Sequence, residues 1–206
     1  MPAHFTPPTA AAPWKMIDRY GFGILVTAGV GDAPIASSLP FLARRQDRLV
    51  IGHIARANEQ FEHLRANPGG EALVIFQGPA AFVSAGYYHD RMAIPTWDHI
   101  TVHVTGPVQM IEDDEGTLEV LRQTVAHFES QAGSDWRLDV ARADLPEMVS
   151  QVAAFTVTAR RVQSIFKLSQ NLDQPRRRLV AAGLRNDGHH AVASAVEAVV
   201  VEQESS

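Results

Sequence analysis

The chain has 206 residues, with 18 Lys and Arg against 23 Asp and Glu for a net charge of −5, 46% hydrophobic residues and no cysteine. That length fits one domain, or one domain with an appendage, and the apolar content excludes a disordered chain. The lack of cysteine excludes disulfide frameworks, thiolate metal sites, iron–sulfur clusters and cysteine nucleophiles, and the mild negative charge excludes a surface given over wholly to nucleic acid.

Prolines in Met1–Ala12 stand where a secretory signal would carry a basic start and an apolar core, so a cytoplasmic location is expected. Gly23–Ala28 is β-branched and apolar, Gly29–Asp32 is a turn cluster, and Ala33–Leu39 resumes an extended pattern that Pro40 is expected to close. Arg48–His53 alternates as a third strand after the polar turn Arg44–Asp47. Asn58–Asn67 places Phe61, Leu64 and Arg65 at helical spacing behind a capping Asn and stops before Pro68-Gly69-Gly70. Glu71–Gln77 and Ala81–Ser84 read as strands joined across Gly78-Pro79, and Ile100–Ile111 as a long strand bent at Gly106-Pro107.

From Asp113 the period changes, with Leu118, Leu121, Val125 and Phe128 on one helical face, followed by a loop at Gly133–Trp136 and a short helix near Leu145–Val152. Phe155–Leu168 returns to strand with a register shift near Arg160, and Arg176–Leu184 and His190–Val201 read as terminal helices. The last of these, apolar over Ala191–Val201, is too short for a membrane span and carries Ser194 and Glu197. Short connections between strands, with helices at the periphery, predict an antiparallel barrel or mixed α+β domain rather than a doubly wound fold.

Several motifs fail their own requirements. Gly21-Phe-Gly23 and Gly29-Val-Gly31 lack the third glycine and following helix of a dinucleotide fingerprint, and Ser84 lacks the pattern of a nucleophile elbow. His99, Thr101 and His103 share a strand face, but no third ligand stands at a telling spacing, so a hydrogen-bonded or ligand-facing pair is expected and no metal. Arg176–Arg178 is a solvated helix face or a contact for an acidic partner, and His189-His190 is an exposed helix start.

Two segments carry more chemistry. Gly52–Asn58 sets His53, Arg56 and Asn58 where a strand meets a helix N-terminus, a place that favours an anion; it reads either as a phosphate cradle or as a helix cap with a surface arginine. Phe166–Asn171 sets Lys167, one of two lysines in the chain, beside Ser169, Gln170 and Asn171, either as donors and acceptors for the edge of a polar heterocycle or as a turn before the next helix. Trp97, within Pro95–His99, offers a flat face for stacking or for an interface.

Ala36–Pro40, Gly52–Asn58, Ile75–Pro79, Pro95–Trp97, Val102–Val104 with Gly106, Trp136–Leu138 and Lys167–Asn171, taken in order, resemble the PaiB family of FMN-binding negative transcriptional regulators. The resemblance implies a six-stranded antiparallel split β-barrel over residues 1–185 with a C-terminal helix and tail over 186–206, a homodimer, and FMN at its interface. By that analogy Ser37, His53, Arg56 and Asn58 face the phosphate and ribityl chain, and Trp97, His103, Lys167 and Gln170 approach the ring. The chain departs from the family pattern at Ser38, Asp98, His99 and Ile165, and Asp98 is expected to bring a negative charge near the anionic cofactor. The resemblance implies a regulator, without a recognisable helix-turn-helix for direct DNA contact. A flavin-dependent oxidoreductase using the same pocket is the alternative, with His53, His99 and His103 its available acids and bases, and haem binding by one of those histidines is a third reading.

Overall fold

The computed structural model describes residues 5–29, 33–88 and 94–204. In chain order the elements are α1 (Ala12–Arg19), β1 (Phe22–Thr27), β2 (Ile35–Arg44), β3 (Leu49–Ala55), α2 (Glu59–Ala66), β4 (Glu71–Val83), a 3-10 turn at Ala85–Tyr88, β5 (Thr96–Ile111), α3 (Asp114–Gln131), α4 (Leu145–Ser150), β6 (Val152–Thr158), β7 (Arg161–Lys167), α5 (Gln174–Asn186) and α6 (His190–Glu204). The strands follow the order β4-β1-β2-β3-β6-β5-β7, and β4 also pairs with β5. The first six strands thereby form a closed circuit of hydrogen-bonded neighbours, which leaves no free edge among them. The turn expected over Gly29–Asp32 lies, apart from Gly29, outside the described residues.

Prolines that read as strand ends turn out to lie where pairing changes hands. β2 pairs with β1 as far as Pro40, opposite Phe22, and with β3 from Phe41 onward. The proline's missing N–H therefore costs no ladder bond, and the next amide, Phe41, donates to Gly21 O at 2.7 Å. β4 likewise runs unbroken through Gly78-Pro79, because its ladder with β1 ends at Phe76. The bend expected at Gly106-Pro107 precedes the β5–β6 ladder, which starts at Val108, and a Cβ on Gly106 would run into the Thr158 carbonyl. The register shift near Arg160 is a break between β6 and β7, fixed by the Arg48 guanidinium, whose Nε and Nη2 donate to Ala159 O at 3.0 and 2.7 Å.

The chain divides into two compact units. One, residues 14–76 and 103–163, holds an aromatic core: Phe41 meets Phe76 edge-on at 5.4 Å and Phe155 at 6.0 Å, with Leu25, Val50, Ile54, Val74 and Val157 fully buried around them. Each edge-on pair adds about 0.5–1.5 kcal/mol beyond the area it buries. α3 covers this core with a stripe one residue away from the expected one, Thr117, Val120 and Thr124, while Leu118, Leu121, Val125 and Phe128 are half-buried. The smaller side chains let the helix lie close to the sheet, and the Thr124 hydroxyl is satisfied by donating to Val120 O at 2.8 Å.

The other unit, residues 1–13, 77–102 and 164–206, packs α5 on α6 through Val180, Leu184, Val192 and Val196. Tyr87 lies against Gly183, where a Cβ would strike its ring, and donates to Asp187 at 2.6 Å. That hydrogen bond, with burial, pushes the phenol up to about 12. Arg185, in the last turn of α5, bonds Glu197 of α6 at 2.6 Å.

Candidate functional site

The junction of β3 and α2 is built by its first polar residue. Asn58 has extended backbone, and its Oδ1 accepts from Gln60 N at 2.9 Å, capping α2. Its Nδ2 donates to the Ser37 hydroxyl on β2 at 3.1 Å. The Ser37 hydroxyl in turn donates to Asn58 Oδ1 at 3.3 Å, so the two side chains are bonded in both directions. Gln60 fixes the helix from below: it is fully buried, and its Nε2 donates to Thr27 Oγ1 at 2.9 Å and to the carbonyl of Ile35 at 3.2 Å. Sequence reasoning passed over Gln60, although it stands with Phe61 and Leu64 on the buried face of α2.

His53 lies on β3 opposite Ala154, half-buried, with Nδ1 buried and without a hydrogen-bond partner. Burial lowers its pKa, which favours the neutral imidazole. Arg56 is held by Nε donating to Val152 O at 3.0 Å and lies 5.3 Å over the Phe61 ring. It lines a cavity of about 350 Å³ with Phe61, Arg65, Gln109 and Met110. Ser37 and Asn58 are thus in contact, His53 and Arg56 flank them in sequence, and Arg56 is turned onto its own cavity wall. A larger cavity of about 620 Å³, along the opposite side of α2, is lined by Glu59 and Glu62 and is electrostatically wrong for an anion.

The second cluster joins the start of β5 to the turn after β7. Lys167 Nζ donates to Thr96 Oγ1, and the ammonium lies 5.9 Å from the Phe5 ring. Ser169 has φ of +57° and donates its hydroxyl to Asp98 Oδ2 at 2.7 Å. Both polar ends of Gln170 are engaged in the turn: Oε1 accepts from Leu168 N at 2.6 Å and Nε2 donates to Phe166 O. Trp97, 57% exposed, meets Phe82 edge-on at 6.1 Å and lines a cavity of about 310 Å³ with Gln77, His99 and Thr101. His103 is half-buried on β5.

Asp98 differs from what its position in the sequence led us to expect. Its carboxylate is wholly buried beneath the strand rather than presented to a ligand, and burial raises its pKa against the pull of the Ser169 hydrogen bonds and of Lys167. Thr96 and Ser169, its neighbours in this cluster, owe their importance to contacts made across long stretches of chain.

The closed antiparallel circuit with peripheral helices defines a split β-barrel of the α+β class. The family model described as "Putative FMN-binding domain" matches residues 1–161, and the chain belongs to that family. It is similar to "Protease synthase and sporulation protein PAI 2" of Bacillus subtilis, with 30% identity over 190 residues that cover 91% of this chain and 89% of the relative, which bears out the PaiB resemblance. Among solved structures it matches a "putative 5-nitroimidazole antibiotic resistance protein" of Bacteroides thetaiotaomicron at TM-score 0.59, with 13% identity over 77% of this chain and 84% of that one. The "FAD and Heme binding protein" of Mycobacterium smegmatis matches at TM-score 0.59, with 11% identity over 78% of this chain and 72% of that one. At such identities these two structures speak for the fold.

Proposed function

We propose that the protein binds FMN as a homodimer and works as a flavin-dependent regulator of the PaiB type. The observation that carries this reading is the Ser37–Asn58 pair at the start of α2, a set of neutral polar groups on rigid backbone, with the Arg56 cation two residues before Asn58 in the chain. Its chemistry suits a phosphate ester, and the unpartnered His53 Nδ1 on the adjoining strand is a buried polar atom of the kind that a ligand hydroxyl satisfies. Lys167 suits the electron-rich edge of a flavin ring, and the exposed Trp97 face suits stacking. FMN supplies a two-electron acceptor when bound; the chain's own residues bind and orient it and keep water from its edge.

The sheet face made by β1, β2 and β4 supports the dimer. Phe22 is 66% exposed, and Ile24 and Val26, half-buried, stand directly opposite Ile75 and Leu73. With a net charge of −5, the regulatory effect is exerted without direct hold on DNA, so retention of promoter DNA by the pure protein should be weak and insensitive to salt.

The test is the absorbance spectrum of freshly purified protein, followed by FMN titration with fluorescence as the readout. Saturable quenching that is lost in Arg56→Ala or Lys167→Ala is expected. No quenching at tens of micromolar FMN, against the roughly 8 kcal/mol that micromolar affinity represents, overturns the reading.

A further inference from the structure

We infer that Asp98 is a positioning residue for the Lys167 cluster, clamping the turn after β7 onto the start of β5 so that Lys167 is held for a ligand. The inference rests on the flavin reading above for the identity of that ligand, and on the geometry around Asp98 for everything else.

Asp98 occupies an inward position of β5, on the same face as Ile100, Val102 and Val104, which are all buried. A carboxylate among apolar neighbours is costly to bury unless it is met by donors. Here the donor is Ser169, which gives its hydroxyl at 2.7 Å. Ser169 is itself unusual, since a side-chain-bearing residue at φ +57° is strained, and such a conformation persists only where its surroundings fix it. The fixing groups are Asp98 on one side and Leu172, whose N–H donates to Ser169 O at 3.0 Å, on the other.

The second rung explains what the clamp serves. Thr96 stands two residues before Asp98 and Lys167 two before Ser169, so the same two segments are tied by Thr96–Lys167 and by Asp98–Ser169. The first rung uses the ammonium that a ligand would need, and is a flexible side chain meeting a hydroxyl. The second is buried and short, and sets where the lysine's backbone lies. Asp98 Oδ1 has no hydrogen-bond partner, so the clamp uses only one carboxylate oxygen as acceptor for the hydroxyl. An asparagine can supply that acceptor, whereas an alanine cannot.

The experiment uses the full chain in five forms: wild type, Asp98→Asn, Asp98→Ala, Ser169→Ala and the double variant Asp98→Ala/Ser169→Ala. Each is titrated with FMN, and backbone hydrogen exchange over Phe166–Leu172 is measured without FMN. The clamp predicts that Asp98→Asn binds FMN within about threefold of wild type, while Asp98→Ala and Ser169→Ala each weaken it by about tenfold, the loss expected of one charge-assisted hydrogen bond. The double alanine variant should be no weaker than either single one, because both act through one contact. Exchange over Phe166–Leu172 should rise in both alanine variants and stay at the wild-type level in Asp98→Asn. If folded Asp98→Ala matches wild type in exchange and in FMN affinity, or if the two alanine effects add, the clamp is overturned. Absence of FMN binding by wild type sinks the flavin reading instead, and the exchange pattern then decides the clamp by itself.

Discussion

At the scale of single residues, burial decides what the polar groups of this chain do. Gln60 is fully enclosed and ties α2 to Thr27 and Ile35. Gln60→Leu keeps the volume but strands the Thr27 hydroxyl and the Ile35 carbonyl, so a stability loss of about 1–3 kcal/mol is expected in urea unfolding, with FMN affinity falling as the Ser37–Asn58 pair loosens. His53 gives a pH test. Its pKa is lowered from 6.5 in the folded chain, so the unfolded chain takes up the proton first. Stability is therefore full above 6.5 and declines as pH falls below it, toward the lower folded value. Asp98 acts with the opposite sign, because its raised pKa lets the folded chain hold a proton that the unfolded chain releases above 3.8. Thermal melts between pH 7.5 and pH 5, near the limits over which a histidine titrates, should show a decline in wild type that is smaller in His53→Gln. An equal decline in both would assign it to other groups.

At the scale of elements, Gly52 shows why a strand of the core carries a glycine. A Cβ there would stand 2.8 Å from the Phe155 ring and 3.0 Å from that of Phe41, the two aromatics that cross at that point. Gly52→Ala should cost about 1–3 kcal/mol through overpacking, and Phe155→Leu in the same chain should recover part of it. A glycine change with no effect on the melt would mean that the rings slide freely, contrary to their packing. The same strand marks what could be read from the sequence. β1, β3 and α2 were legible because alternation, a polar turn and a capping Asn are local signals, and Asn58 does cap α2. The prolines at 40 and 79 misled because a proline ends a strand only where the ladder needs its N–H, and which neighbour β2 or β4 has at that point is a property of the sheet. The buried stripe of α3 was missed for a related reason: apolar periodicity marked Leu118 and Leu121, while close approach to the sheet selected Thr117 and Thr124. Of the candidate site, the Gly52–Asn58 and Lys167–Gln170 segments announced themselves by composition. Asp98 could not, since a carboxylate in a strand reads as exposed until the Ser169 hydroxyl, far along the chain, is seen to cover it.

At the scale of the whole molecule, the outward face of β1, β2 and β4 makes the strongest demand. Antiparallel strands with one buried face ordinarily carry polar residues on the other. Here the outward positions of β1 are Phe22, Ile24 and Val26, with Leu73 and Ile75 opposite on β4, while on β2 Ala36 stands opposite Val26 and Ser38 opposite Ile24. A contiguous apolar strip of this kind on a sheet marks an association surface, and a two-fold axis lets one face bury itself against its own copy. Phe22, the most exposed of the five β1 and β4 side chains, sits where β2 passes from β1 to β3, so replacing it leaves the internal ladder intact. On the proposed dimer, Phe22→Glu should therefore yield a folded monomer by sedimentation at concentrations where the wild type sediments as a dimer, since two buried like charges across the axis are unfavourable; a monomeric wild type would overturn the dimer itself. If FMN is held between subunits, the same variant should also lose FMN quenching although Ser37, Asn58 and Lys167 are untouched. A monomer that still binds FMN as wild type does would place the whole flavin site within one chain, and a dimer that survives the change would move the interface to another face.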